Sequence, residues 1–523
     1  LDVLDGLLDT GLLVEPRTAG RAEFALAHDR YTEVAYDTLP RVRRRRLHRR
    51  VGEALEATAR DLDAAAPTLA HHFEEAGDGP RAFDWLVRAG GAASARYAHV
   101  EALAFYQRAV DLGAGETGPV WAEMGRISHH LARYRDGVRF YEKALIRWQA
   151  LGDGVEQIRT RCSLAECHRE LSQFDQAANH ASAALDMASG LPDQPALAAR
   201  SHVVLANAMR SGQLAPVAVF RDHLEQALAL ARPAEAWPLV GEATFWLGVV
   251  TVNTGDAAGA LVYDQEALAC FRRTGQSGWE AMGLNNLAYH GLLAGQADVA
   301  LEAAEEGLAL ARRIDSRNAQ GWLLSTLGEV QTHLGLLDEA RVTLEEGLAL
   351  VTRWGPPRLR PGFLVDLARV ARAQGRSETA QAYLEEALAL AVESAPQFVP
   401  RLRVALAEVL GEAGDPARAE AEARQALEGA QWKKQRSVAG CAWRVLGAIR
   451  AAAGCSTEAE VAFARSLETL EPLGDALESA RTRAVWGRWL RTEGDPRADD
   501  LLESARRTFE GCGAALDLTL LDS

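Results

Sequence analysis

Lysine is almost missing from this chain. Three occur in 523 residues, Lys143, Lys433 and Lys434, and none follows a glycine. A phosphate loop needs a glycine-rich backbone turn closed by Lys and Ser or Thr, so no ATPase site of that kind lies here. The six cysteines (Cys162, Cys167, Cys270, Cys441, Cys455 and Cys512) show neither paired metal-ligand spacing nor a secreted framework. They read as buried, reduced thiols of a cytoplasmic protein. Aromatic residues make up only 7% and β-branched runs are scarce, which disfavours sheet. No apolar run approaches the roughly 18 residues of a membrane span. Basic charge is also short, with 57 Lys and Arg against 72 Asp and Glu and a net charge of −15, which argues against an array that wraps nucleic acid. No zinc-protease pattern or nucleophile elbow is present. His71-His72 and His129-His130 are adjacent pairs, so each pair points to two faces and cannot chelate alone. Gly113, Gly115 and Gly118 have dinucleotide-loop spacing but follow a helical stretch rather than a strand, and read as an inter-repeat joint. The chain is therefore expected to be no enzyme and to hold no catalytic residue, metal or cofactor of its own.

What the chain has is a repeat. A Leu-small pair recurs at Met124-Gly125, Leu164-Ala165, Leu205-Ala206, Leu247-Gly248, Leu287-Ala288, Leu327-Gly328, Leu367-Ala368, Leu406-Ala407, Leu446-Gly447 and Trp486-Gly487. A small-plus-Leu pair follows half a period later, as at Ala267-Leu268, Gly307-Leu308, Gly347-Leu348 and Ala387-Leu388. The interval is about 40 residues, which means a stacked array. Within Glu280–Arg312, apolar and small positions fall mostly three to five apart in two runs, Met282 to Leu292 and Val299 to Ala311. That is one stripe on each of two helices. Gly295 between them can end the first helix in a left-handed cap, and Asp298 can start the second. The same Gly, with Ala five positions on, recurs at Gly255/Ala260, Gly335/Ala340, Gly375/Ala380, Gly414/Ala419 and Gly454/Ala459. Each pair exposes an apolar face alone, so neighbours must stack to bury it. The Glu305-Glu306, Glu345-Glu346 and Glu385-Glu386 pairs keep the period and read as solvated helix faces.

The pattern Trp246-Leu247-Gly248…Gly255…Ala260…Tyr263…Ala267-Leu268, with Phe174…Ala177…Ala184-Leu185, resembles the tetratricopeptide repeat (TPR), although Tyr263 sits one position early. The resemblance covers about four fifths of the chain and implies an all-α fold, a right-handed α-solenoid of about eleven helical hairpins. The expected organisation is 1–39 as the C-terminal part of a winged-helix domain, 40–78 as a helical linker hairpin, and 79–523 as the TPR superhelix.

Residues 1–39 do not repeat. Leu1, Leu4, Leu7 and Leu8 predict a short amphipathic helix ended at Gly11, and Leu12–Val14 and Phe24–Leu26 predict two short strands around a Pro16-to-Arg21 turn. This is the back half of a winged helix or an irregular cap on the array. Arg41–Arg50 holds seven arginines in ten residues. A phosphate patch is one reading. A solvated face is the preferred one, because Leu47, Val51 and Leu55 predict a buried stripe behind it. Leu13-Val14-Glu15, Phe24-Ala25-Leu26-Ala27-His28-Asp29, Ala35-Tyr36-Asp37-Thr38-Leu39-Pro40 and the Arg-rich run resemble a junction in bacterial STAND signal-transduction ATPases, many of them transcriptional regulators of the maltose-activator or antibiotic-regulatory type. The resemblance implies an ATPase domain upstream in cis and places His28 where that group contacts ADP, so ADP or ATP would belong to the intact protein. A hairpin His capping the following helix is the alternative. On this resemblance the chain is the C-terminal part of such a regulator, cut from its upstream domain.

By resemblance to TPR arrays, first helices line a concave groove. Residues two before each Leu-small pair and one after it should face that groove: Phe245 and Val249, Asn285 and Tyr289, Ser325 and Glu329, Val365 and Arg369. Trp246, Asn286, Trp322, Thr326, Asp366 and Arg372 are neighbouring candidates. Asn285 and Asn286 lead, since a side-chain amide both donates and accepts and can clamp a peptide backbone. Trp246, Trp322 and Tyr289 can stack on a ligand, or the tryptophans can pack between repeats. The expected function is a non-catalytic sensor and scaffold binding a peptide, a protein or a small-molecule inducer. The alternative is a stand-alone TPR scaffold. Neither a membrane nor direct nucleic-acid contact by the array is expected.

Overall fold

Alanine, leucine, glutamate and arginine favour helix, and they dominate the chain. The computed structural model describes residues 2–14, 25–354, 359–394, 396–432 and 435–522. They fall into two compact units, Leu1–Ala215 and Pro216–Ser523.

The first unit opens with α1 (Asp2–Asp9), β1 (Leu13–Val14), β2 (Ala25–Leu26) and α2 (Asp29–Thr38). The strands are antiparallel, Leu13 opposite Leu26 and Val14 opposite Ala25. The predicted Pro16-to-Arg21 turn lies outside the described residues, and the winged-helix reading rests on the resemblance alone. There follow α3 (Arg41–Thr58), α4 (Leu62–Ala76), α5 (Gly79–Ala95), α6 (His99–Leu112), α7 (Thr117–His130), α8 (Tyr134–Leu151), α9 (Gly154–Glu170), α10 (Phe174–Ser189) and α11 (Pro195–Gly212). The stripe predicted on α3 is corrected: Leu47 and Val51 are exposed. The buried position is Gly52, where an added Cβ would stand 3.1 Å from the Phe73 ring of α4. The bulky Phe73 takes the space, so α3 meets α4 on its smallest residue. Gly113 ends α6 in a left-handed cap, and Gly115 and Gly118 lie against Phe83 and Trp148. That glycine run is packing.

The second unit contains α12 (Val217–Ala231), α13 (Trp237–Asn253), α14 (Ala257–Thr274), α15 (Ser277–Leu293), α16 (Ala297–Arg313), α17 (Arg317–His333), α18 (Leu337–Trp354) and α19 (Arg360–Ala373). It continues through α20 (Ser377–Ser394), α21 (Val399–Glu412), α22 (Pro416–Trp432), α23 (Arg436–Ala452), α24 (Ser456–Leu470), α25 (Ala476–Thr492), α26 (Arg497–Gly511) and α27 (Ala515–Asp522). From α13 to α26 these are seven consecutive hairpins. Gly255, Gly295, Gly335, Gly375, Gly414 and Gly454 all carry positive φ, from 73° to 92°. Only glycine adopts that conformation without a Cβ penalty. At Gly295 the next amide, Gln296 N–H, donates back to the Gly291 carbonyl at 2.8 Å, closing the helix end. Asp298 does not start the second helix: α16 begins at Ala297 behind Gln296, and Asp298 sits in its first turn. The cap position is the residue directly after the glycine, Gln296 here; after Gly255 it is Asp256, which caps α14 by accepting from the Gly259 amide. The six alanines five positions after these glycines are fully buried. A Cβ on Gly447 would lie 2.8 Å from the Phe463 ring, so the small member of the Leu-small pair sets how closely paired helices approach.

Among the described residues, no helix is long and apolar enough to cross a membrane.

A charged cavity walled by first helices

In the second unit the first helix of each hairpin, from α15 to α25, presents one face to a shared cavity of about 1090 Å³. Tyr289 and Leu293 come from α15, Glu329 and His333 from α17, Val365, Arg369 and Arg372 from α19. Arg401, Val404 and Glu408 come from α21, Val438, Cys441 and Arg444 from α23, Arg481 and Arg488 from α25. Leu516, Asp517, Leu520 and Leu521 of α27 complete the wall. Helix α17 meets the C-terminal segment there. His333 Nε2 donates to the Cys512 carbonyl at 2.9 Å across a separation of 179 residues.

One side of the cavity is a ladder of ion pairs crossing every repeat interface from α19 to α27. Arg372 binds Glu412 and Glu408, each at 2.6 Å. Arg444 binds Glu408 at 2.9 Å and Glu478 at 2.5 Å. Arg481 binds Glu478 at 2.6 Å and Asp517 at 2.8 Å. Burial would raise the Glu408 carboxyl, but Arg372 and Arg444 outweigh it and hold it below the usual range. Burial opposes the ionised form of Glu478 as well, and Arg444 and Arg481 hold it well below. Each carboxylate between two guanidiniums stays ionised because the cations replace the water it lost.

Opposite lies a looser group. Arg369 is 3.8 Å from Glu329. Arg401 is solvent-exposed inside the cavity and makes no ion pair among the described residues. Burial would lower the Arg401 guanidinium, but Glu329 and Asp366 keep it protonated. Burial, and then Glu329, push the Asp366 carboxyl up to about 7. Burial likewise pushes the Tyr289 phenol up to about 12. Apolar patches and a loosely held cation can together bind and orient an amphipathic ligand. They include no nucleophile–base pair. Cys441, on the wall, donates its thiol to Glu478 and is raised well above the usual range by burial and that charge.

Of the residues singled out in the sequence, Tyr289 and Arg369 stand on the cavity wall with Glu329, Val365 and Arg372, and Asp366 lies behind them. Asn285 is buried and its Oδ1 accepts from Thr326 Oγ1 at 2.8 Å. Asn286 is buried beside it. Phe245 is buried edge-on to Trp246 and Trp279. Trp322 and Ser325 are half-buried and outside the wall. His28 caps α2, its Nδ1 accepting from the Arg30 amide at 3.2 Å. A smaller cavity of about 360 Å³ in the first unit lies between Tyr97, His99, Tyr106 and Arg126, but Arg126 is already paired with Glu123 at 2.7 Å.

The family model of the MalT-like TPR region matches residues 215–489, and a tetratricopeptide-repeat model matches 116–189. The chain belongs to the MalT-like TPR family. Of the two, the first match takes in the first helices that wall the cavity, from α15 into α25. Among curated proteins, an uncharacterized protein of Rhizobium meliloti (strain 1021) is 35% identical over 111 residues, 21% of this chain and 11% of that protein. The MalT-like chain thus matches about a ninth of the length of that relative. Among solved structures, a Rap protein complexed with Competence and Sporulation Factor has a TM-score of 0.56 at 12% identity, covering 68% of this chain and 99% of that one. A STAND protein with a tetratricopeptide repeat sensor from Pyrococcus horikoshii has a TM-score of 0.46 at 15% identity, covering 83% and 58%. At 12% identity the likeness to the Rap protein is one of fold alone.

Proposed function

We propose that this MalT-like array is the ligand-binding sensor and scaffold of a STAND-type ATPase regulator of transcription in the bacterial cytoplasm, and that the cavity of the second unit is its sensor site. The observation that carries the reading is Arg401, a guanidinium that faces a partly apolar cavity, makes no ion pair among the described residues and has its charge favoured by Glu329 and Asp366. A ligand acid meeting it forms a charge-assisted bond that the empty site lacks. Binding favours the arrangement in which Arg401, Tyr289 and the ladder face one another, and so shifts the population of the array. In the intact protein an ATPase domain in cis reads that shift, with His28 at the nucleotide. The Rap protein whose fold this array shares was solved with a bound factor, which supports the kind of partner.

The test is a thermal-shift screen of peptides and metabolites on the whole chain, repeated on Arg401→Gln. Ligands of the site should lose about tenfold or more in affinity in the variant, the worth of one charge-assisted bond. Hits indifferent to both Arg401→Gln and Tyr289→Ala would refute the sensor site. A gene without a phosphate loop upstream of Leu1 would refute the ATPase assignment.

A further inference from the structure

Helix α27 packs on α26, whose Arg506 pairs with Asp522, and reaches α17. It has eight residues, four of them leucine, and none is buried. A helix this short does not hold together alone in water. Its contacts with the cavity wall hold it, and they take its acceptors. Arg481 grips the Asp517 carboxylate with two parallel bonds, Nε and Nη2 each at 2.8 Å. Arg488 Nη1 donates to the Leu520 carbonyl at 2.8 Å. Leu518 and Leu521 supply the apolar contact, packed against Ala480, Ala484, Ala505 and Phe509, while Leu516 and Leu520 line the cavity. This is the way a wall of first helices would hold a separate peptide: a forked bond to an acid, capture of a backbone carbonyl, and leucines on the apolar patches.

We propose that the cavity recognises an acidic, leucine-rich helical peptide and that α27 is its built-in competitor, occupying Arg481 and Arg488 until such a segment takes them. The proposal rests on reading the cavity as the ligand site. Charge decides the exchange. The segment α27 uses Arg481 and Arg488 but leaves Arg401 without an ion pair. A peptide that also brings a carboxylate to Arg401 makes one more charge-assisted bond than α27 does and displaces it.

The experiment uses the full chain and a peptide of the α27 sequence labelled at its N-terminus, fluorescein-Ala-Leu-Asp-Leu-Thr-Leu-Leu-Asp-amide, read by anisotropy. Asp517→Asn weakens the internal competitor's hold on Arg481 and leaves the first helices of the wall unchanged. It should bind the probe about 10-fold more tightly than wild type, the worth of a hydrogen bond to a charged group. Amide exchange over 513–522 should rise in the same variant. Adding Arg481→Ala should abolish the gain, and Asp517→Glu, which keeps the acid, should behave as wild type. Equal probe affinity in wild type and Asp517→Asn, or unchanged exchange over 513–522, overturns the proposal. If Asp517→Asn loosens α27 yet binds no probe, while another ligand still binds in an Arg401-dependent way, the peptide assignment falls and the sensor site stands. If no ligand of any class depends on Arg401, both fall.

Discussion

Arg444 is the middle rung of the ladder, and its removal is the sharpest test of how the second unit is held. Its side chain is 9% exposed, and the two carboxylates it bridges are 19% and 21% exposed. Removing one partner of a buried ion pair costs about 3–5 kcal/mol, because a charge is left without compensation. Two features reduce that here. Glu408 keeps Arg372 and Glu478 keeps Arg481, each at 2.6 Å, and both carboxylates reach cavity water. Arg444→Ala should therefore cost about 2–3 kcal/mol, or about 5 °C in melting temperature for a unit of this size. The pH dependence follows from the depressed carboxyls of Glu408 and Glu478. An acid whose folded pKa lies below its unfolded value stabilises the fold above the unfolded pKa and loses that contribution as pH falls through the folded one. The gap between wild type and Arg444→Ala should be full near neutral pH and narrow below the ordinary carboxylate pKa of 4.5. Thermal melts followed by far-ultraviolet circular dichroism at the two pH values measure it. A loss under about 1 kcal/mol, the value of an exposed surface pair, or a gap that does not change with pH, would show that the ladder is a solvated rim.

Asp366→Asn should act in the opposite sense: burial raises this carboxyl to about 7, so the native state favours its proton, and the stability tied to that proton is lost as pH rises through about 7. The variant should melt higher than wild type above neutral pH and equally near pH 4. Asn285→Ala removes the partner of the Thr326 hydroxyl in the interior and should lower stability by about 1–3 kcal/mol; unchanged melting with weakened ligand binding would put the amide in a binding role instead. Burial pushes the Cys162 thiol up to about 11 and the Cys167 thiol up to about 12. A thiolate-selective reagent near pH 8 should leave both unmodified in the native chain and label them in denaturant, as read by mass spectrometry.

The hairpins were legible because their signals are local. A glycine with positive φ, an alanine five positions on and a small residue beside each leucine all act within one repeat, and all take the expected places. Part of the wall was legible for the same reason. The rule of two before and one after the Leu-small pair reaches Tyr289, Glu329, Val365 and Arg369. Carried forward with the same period to Leu406, Leu446 and Trp486, it reaches Val404, Glu408, Arg444, Ala484 and Arg488, all on the wall. The signal for two of the seven ladder residues, Glu408 and Arg444, was present in the period and lay beyond the middle repeats. At Leu247 the rule points to Phe245, which turns instead into a cluster with Phe271 and Trp279, while Val252 takes the wall position.

Arg401 and Arg481 could not be found in this way. They stand five residues before their leucine or tryptophan, where Gly362 and Cys441 stand in neighbouring repeats, so no recurring residue type marks the position. The contribution of α27 was further out of reach. Its approach to α17 depends on the small rotation added by each of the intervening hairpins, and no single repeat encodes the sum. The bond between His333 and Cys512 expresses that accumulated rotation. A repeat sequence therefore reports the wall residue by residue. Whether the wall closes into a cavity, and which segment of the chain closes it, is a property of the number of repeats. The test on Asp517 reaches past the repeat for this reason: it loosens the closing segment and leaves every hairpin as it was.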